Sequence, residues 1–335
     1  MPASAVKRLL NHYDRSARSL PWRSPPGRPA PDPYAVWLSE VMLQQTTVAT
    51  VMPRFRRFVE RWPTIEALAA APDEEVLAEW AGLGYYARAR NLIACAREVA
   101  ARGGFPTTEV ELRKLPGLGA YTAAAIAAIA FGQRAVVIDT NVERVVARLH
   151  GIARPIAGAR SELRALADAL TPNERAGDYA QAMMDLGATI CRPKNPNCTA
   201  CPLSSDCLAF ASGTPEAFPA PKVRAERPHR HGIAWWIEQG DAVWLVRRPA
   251  KGMLGAMAAL PGADWTDEPP AGPFLASVSH GFSHFTLDLH VVARPAPPDR
   301  EGWWQPLATI DVAGLPTLYA RAVEAVLVRR NALAA

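Results

Sequence analysis

Four of the five cysteines, Cys191, Cys198, Cys201 and Cys207, are spaced C-x6-C-x2-C-x5-C. Four thiolates so close along the chain can close on one metal centre, either a tetrahedral zinc or an iron–sulfur cluster. Zinc ribbons usually present two close pairs. Here only Cys198 and Cys201 make one, and the wide loops around them suit a larger object such as a cubane. Glu40 offers different chemistry. Its helical neighbours three and four positions away are Val36, Trp37, Leu43 and Gln44. Partial desolvation among such residues raises a carboxyl pKa and suits a general acid, although on residue types alone Glu40 also reads as a Glu on a solvated face. Asp139, in IDTNVERVVARL, is a second acid and doubles as an N-cap for the helix that follows. Between the two acids, LPGLGAYTAAAIAAIAFG at residues 115–132 joins a turn to a helix. Gly117 and Gly119 permit positive φ and close backbone approach, and the N–H groups at the next helix start make an anion site.

The elements that must hold these residues are mostly helices. Residues 1–212 are rich in Ala, Leu, Glu and Arg, punctuated by Pro and Gly. Asp32-Pro33 marks a helix start, with a capping acid and a proline at the first helical position. A helix is expected over residues 34–52, ended by Pro53, and another over residues 136–149. Cys95 sits in an Ala-rich helix and reads as a core residue. From residue 213 the composition shifts to SGTPEAFPAPKVRAERPHR, which reads as an extended linker. Beyond it, IAWWIEQGDAVWLVRR reads as two short strands joined by a Gly-Asp turn, FTLDLHVVARP as another strand, and residues 316–331 as a final helix. Six of the ten tryptophans lie between Trp235 and Trp304, which marks this part as a separate α+β module.

The chain has 335 residues, 49% of them hydrophobic and 21% charged, as expected of about two globular domains. No stretch is long and apolar enough to predict a membrane span. The start, MPASAVKRLLNHYD, lacks the apolar core of a signal peptide, so a cytoplasmic protein is expected, with its cysteines serving a metal or redox site. The net charge of +5 is unevenly placed: residues 1–213 carry 25 Lys and Arg against 20 Asp and Glu, and residues 214–335 carry 12 of each. The basic surplus of the front part points to a polyanionic partner there.

The cysteine spacing resembles the iron–sulfur motif of the helix-hairpin-helix DNA glycosylases. WLSEVMLQQT around Glu40, the LPGLGAY hairpin and IDTNV around Asp139 resemble the adenine-specific branch of that family. The resemblance covers about residues 5–325. It implies an all-α glycosylase domain over residues 1–213, with a six-helix barrel at about 31–135 and a cluster lobe at about 1–30 and 136–213. It further implies a linker at 214–228 and a Nudix-like α+β domain at 229–335. A [4Fe–4S] cluster on the four cysteines is implied, with Arg192 and Lys194 between the first two able to meet phosphate. Glu40 would protonate adenine and later help activate water, and Asp139, supported by Asn141, would stabilise positive charge on the deoxyribose. Arg23 and Asp185 would line the adenine pocket. Gln45 and Tyr85 would wedge beside the flipped base, although Tyr85 alone also reads as a half-buried core aromatic. Arg88 and Arg90 read as phosphate contacts or as a solvated helix face. The loop Phe282, Ser283 and His284 would recognise 8-oxoguanine.

Several positions refine this expectation. Bifunctional relatives carry a Lys nucleophile where Tyr121 stands, and a phenol cannot form a Schiff base, so a monofunctional, water-using enzyme is expected. Thr140 replaces the family Gly after the catalytic Asp, Glu143 stands near where a Lys is usual, and residues 24–30 form a Pro-rich insertion. Residues 252–262 match a Gly-rich family segment loosely, with Ala259 or Leu260 at the usual aromatic, and the Glu-rich string that binds magnesium in active Nudix hydrolases is missing. The expected partner is double-stranded DNA containing adenine opposite 8-oxoguanine or guanine, met by a monomer at the bacterial nucleoid. Two alternatives are a bifunctional glycosylase of the endonuclease III type and a non-enzymatic iron–sulfur DNA-binding or redox-sensing protein.

Overall fold

The computed structural model describes residues 3–221, 227–249, 252–282, 284–299 and 301–334. Its helices are α1 (Ala3–Ser16), α2 (Pro33–Leu43), α3 (Val48–Arg61), α4 (Ile65–Ala70), α5 (Asp73–Glu79), α6 (Ala87–Arg102), α7 (Glu109–Leu112), α8 (Ala120–Phe131), α9 (Thr140–Leu149), α10 (Arg160–Leu170), α11 (Ala176–Asp185), α12 (Leu208–Ala211) and α13 (Thr317–Ala334). The strands are β1 (His229–Trp236), β2 (Glu238–Gln239), β3 (Ala242–Arg247), β4 (Ala258–Ala259), β5 (Ala276–Gly281), β6 (Thr286–Ala293) and β7 (Trp303–Pro306). Two compact units result: Met1–Ala70 with Asn91–Val223, and Ala71–Arg90 with Arg224–Ala335.

The first unit is helical and is built around α8. Residues Thr122 to Ala130 of that helix are buried on every side. Alanine leaves room for other backbones to approach, and α2, α7 and α11 all pack on it. Helix α2 starts as its sequence predicts, with Asp32 accepting a 2.9 Å hydrogen bond from the Tyr34 amide and Pro33 at the first position.

Two helix boundaries differ from the sequence expectation. The helix expected over residues 34–52 is two helices. Gln45 adopts a positive φ of 55°, and Thr47 caps a new helix by accepting from the Thr50 amide. Pro53 therefore lies inside α3, in its second turn, where it forfeits one backbone bond instead of ending the helix. The stretch expected to be helical from residue 136 is extended at first. Ala135, Val136 and Val137 are buried in non-helical backbone, and α9 begins only at Thr140, where Asp139 caps it.

The second unit is α+β. A three-stranded sheet has the order β1-β6-β5, with β1 parallel and β5 antiparallel to β6. A second sheet has the order β2-β3-β4, with β7 also pairing with β3. The Gly-Asp turn joins β2 to β3, while the preceding apolar run forms β1 in the other sheet. Leu287, Leu289 and Val291 of β6 face a core shared with Leu318, Tyr319, Ala322 and Val323 of α13.

The expected linker is not uniformly extended. The backbone amide of Ala220 donates to the Ala153 carbonyl at 2.8 Å, and Glu216 accepts from the Asn195 amide at 2.9 Å. The stretch 214–221 is thus part of the helical unit. The segment Ala71–Arg90, 134 positions or more before the rest of the second unit, groups with it instead. Contacts such as Arg90 Nη1 to the Gly255 carbonyl at 2.8 Å bind it there.

Candidate active site

One pocket of the helical unit gathers Arg23, Glu40, Gln45, Gly117, Tyr121 and Asp139, together with Gly119 and Asn141. Helix α2 brings Glu40 to it because that helix is buried nearly all round and this carboxyl has no solvent face to turn to. Glu40 is 6% exposed. Burial raises its pKa above the ordinary carboxylate value, and the nearby charge of Asp139 adds to that. The hydrogen bond from Tyr121 and the positive charge of Arg23 pull it back. Tyr121 Oη donates to Glu40 Oε2 at 2.7 Å from the first turn of α8. Burial and the carboxylates around it push the phenol well above its usual pKa, so it stays a donor.

Asp139 enters the same pocket as the cap of α9. Its Oδ1 accepts from the Val142 amide at 2.7 Å and its Oδ2 from Asn141 Nδ2 at 3.0 Å. The cap reading and the site reading of Asp139 thus coincide. Asn141 is held in turn: its Oδ1 accepts from Arg144 Nη2 at 2.9 Å, and Arg144 also donates to the carbonyls of Gly187 at 2.7 Å and Cys191 at 2.9 Å. A Cβ on Gly187 would come within 2.6 Å of the Asn141 Cβ, so glycine is what lets α9 and this turn approach.

Arg23 and Asp185 are partners of each other. Arg23 Nη1 donates to both Asp185 oxygens at 2.9 Å, and Arg18 Nε donates to Oδ1 at 2.6 Å. Two guanidiniums on one buried carboxylate leave a net positive wall beside Glu40. The glycine turn behaves unequally. Gly117 takes a positive φ of 75°, and a Cβ there would lie 2.7 Å from the Asn91 Cβ. Gly119 is the N-cap of α8 in extended backbone, so the positive φ expected of both belongs to Gly117 alone.

The four cysteine sulfurs converge on a small cavity beside Arg148 and Phe210. None of these four forms a disulfide. Among the described residues no three of these sulfurs lie within 4.8 Å of one another. Four thiols lining one cavity are the donor set that either a zinc ion or an iron–sulfur cluster would take. Arg148, 3% exposed, donates to Cys191 Sγ at 3.3 Å and to the carbonyls of Arg192, Pro193 and Phe218 at 2.6–3.0 Å. Burial and mutual repulsion push the thiols of Cys198, Cys201 and Cys207 up, Cys201 to about 11. A positively charged metal centre would reverse that trend and hold them as thiolates. Arg192 and Lys194 are exposed beside it.

The remaining predicted residues, Cys95 apart, belong to the second unit. Tyr85 is half exposed with a positive φ of 48°. Arg88 stacks on the Tyr85 and Trp80 rings and donates to the Leu83 carbonyl at 2.9 Å, so it supports the turn, and Arg90 is held by Gly255. Both are half-buried, so neither lies on a fully solvated helix face. Phe282 is half-buried against Trp265 and Phe285, at centroid distances of 5.5 and 4.8 Å, and His284 is exposed. Ser283 lies outside the described residues. Ala259 and Leu260, at the family's aromatic position, are buried. Cys95 is buried in α6, as its sequence predicts.

Sequence reading missed Arg18, Arg144 and Arg148. Arg148 carried a signal, a cation between Val145, Val146 and Leu149, and Arg144 stands one helical turn after Asn141. Arg18 carried none.

A helical fold with a glycine hairpin, two acids in one pocket and a four-cysteine loop defines the base-excision repair class. Residues 38–169 match the HhH-GPD superfamily of base excision DNA repair proteins, and residues 233–325 match the NUDIX domain. The chain is 37% identical over 360 residues to the adenine DNA glycosylase of Homo sapiens, covering 84% of this chain and 65% of that one. It is 32% identical over 298 residues to that of Buchnera aphidicola subsp. Schizaphis graminum, covering 84% of each. A thermostable thymine-DNA glycosylase structure matches 62% of this chain and 95% of its own with a TM-score of 0.54 and 29% identity. The chain belongs to the adenine DNA glycosylase family. It spans less than two thirds of the human relative's length.

Proposed function

We propose that this protein is a monofunctional adenine DNA glycosylase that removes adenine paired with 8-oxoguanine or guanine from double-stranded DNA. The observation that carries the reading is the 2.7 Å hydrogen bond from Tyr121 to the buried Glu40 in the pocket that also holds Asp139. A raised pKa keeps more of Glu40 protonated near neutral pH, as a general acid requires. Glu40 donates its proton to the flipped adenine and makes it a better leaving group. Asp139, fixed by the Val142 amide and Asn141, faces the deoxyribose as positive charge grows there, much as carboxylates do in glycoside hydrolysis. Glu40, now ionised, then accepts a proton from water. Tyr121 orients Glu40 and offers no amine for covalent strand cleavage.

Gln45 and Tyr85 are assigned to the stack beside the flipped base, whose extrusion costs a few kcal/mol. Phe282, Ser283 and His284 are assigned to 8-oxoguanine. Cys191, Cys198, Cys201 and Cys207 would hold a [4Fe–4S] cluster, whose iron–thiolate bonds would brace the loop that carries Arg192 and Lys194. The protein is proposed to act as a monomer in the cytoplasm, with the domain division near residues 213–228 separating excision from lesion recognition.

The test is product analysis on a duplex with one adenine opposite 8-oxoguanine. Wild type should release free adenine and leave strands that break only after alkali. Glu40→Gln should slow release about 10²- to 10⁴-fold, the usual worth of a general acid. Strand cleavage without alkali would overturn the monofunctional reading. Tight DNA binding with no adenine release would favour a non-enzymatic sensor.

A further inference from the structure

The solvent face of the β1-β6-β5 sheet carries a cluster that plays no part in the repair reading. The buried residues Leu287, Leu289 and Val291 of β6 point to α13, so Asp288 and His290 point the other way. Their neighbours on β1 are His229 and His231, with His231 paired to Asp288 in the parallel register. One ligand atom from each of His229, His231 and Asp288 lies within 4.8 Å of the other two. His229 Nε2 is 3.1 Å from Asp288 Oδ2. That separation is close to the edge of about 3.3 Å that bonds of about 2.0 Å set in a tetrahedral site.

The far side of each group is already tied down. His229 Nδ1 is 2.7 Å from Thr286 Oγ1. Asp288 Oδ1 accepts from Ser279 Oγ at 2.5 Å. His231 Nδ1 is 3.4 Å from His290 Nε2, and His290 Nδ1 is 2.9 Å from Ser277 Oγ. In the ion-free protein His229 donates its Nε2–H to Asp288 Oδ2, so a bound ion would take the place of that proton, while Nδ1 of His229 and of His231 stays engaged by Thr286 Oγ1 and His290 Nε2. This is the outer arrangement that metal-binding histidines and carboxylates show.

We infer that His229, His231 and Asp288 form a binding site for a divalent transition ion of the zinc class, with Thr286, Ser279 and His290 orienting the ligands. Two imidazoles and one carboxylate suit zinc better than magnesium or calcium, which prefer all-oxygen sites. The ion would join β1 to β6. The inference is independent of the proposed repair activity and of the cysteine centre.

The test uses the full-length protein with its cysteine centre loaded, stripped of loosely held metal, and titrated with zinc alone. One zinc per chain is expected, with affinity falling at least about tenfold in His231→Asn and in Asp288→Asn, and by about 10- to 100-fold in Thr286→Val through the outer contact. Cobalt in place of zinc should give a tetrahedral spectrum without thiolate charge transfer, a readout that needs no variant. Equal zinc affinity in wild type, His231→Asn and Asp288→Asn would overturn the inference. So would a cobalt spectrum with a thiolate band that disappears in Cys198→Ser, since the ion would then sit on the cysteines.

Discussion

Glu40 is pulled in two directions. Burial raises its pKa, while Tyr121 and Arg23 lower it. A carboxyl whose folded pKa lies above its unfolded one contributes stability that is full below the unfolded pKa, near 4.3, and is lost as pH rises through the folded value. Ionised Glu40 therefore costs stability at neutral pH. Glu40→Gln keeps an oxygen that can accept from Tyr121 and removes that cost. Its thermal midpoint is expected to exceed wild type by a few degrees at neutral pH, with the gap closing as pH falls to about 4. Thermal melts across that range check this, and a gap that stays constant with pH would contradict the burial cost. The apolar neighbours of Glu40 on α2 left both a desolvated acid and a solvated-face Glu open, and the resemblance carried by WLSEVMLQQT singled it out. Arg18 was not, because its pairing with Asp185 spans 167 positions and leaves no local pattern.

At the scale of elements, α9 carries the second acid and also reaches the cysteine loop. Arg144 links Asn141 to the carbonyls of Gly187 and Cys191. Arg144→Ala would leave three acceptors without their donor, at about 1–3 kcal/mol for each buried one left unsatisfied. It should lower adenine release and also speed iron loss to a chelator from the loaded protein, whereas Asn141→Ala should lower release alone. Unchanged iron loss in Arg144→Ala would disprove the link. Propensity and capping located α2, α8, α9 and α13, yet two boundaries escaped them. The break at Gln45 depends on a left-handed residue that no glycine announces. The delayed start of α9 depends on Val136 and Val137 finding a buried place outside any helix. The strand pattern of β1 was legible, but its pairing with β6, 57 positions away at His229 and Thr286, was not.

For the whole molecule, the uneven charge acquires a location. The basic surplus belongs to residues 1–213, and the exposed Arg192 and Lys194 stand beside the cysteine cavity. Removing one cation that neutralises a phosphate should reduce the slope of log affinity against log salt by about 0.9. Arg192→Ala and Lys194→Ala are each expected to do so while weakening all DNA sequences alike. Titrations at several salt concentrations check this, and an unchanged slope in both variants would remove the loop from the DNA-binding surface. The division into a helical and an α+β part was legible because hydrophobic periodicity and tryptophan density change after residue 213. The grouping of Ala71–Arg90 with the second unit was not, since it rests on contacts such as Arg90 with Gly255 across 165 positions. The central claim is that a buried Glu40, tuned by Tyr121, supplies the proton for base release. Single-turnover adenine release measured against pH in wild type and Tyr121→Phe tests it most directly. Removing the hydroxyl removes a hydrogen bond that lowers the pKa of Glu40, so the fall in rate toward high pH should move to higher pH in the variant. A limb that stays in place, or moves to lower pH, would contradict the account.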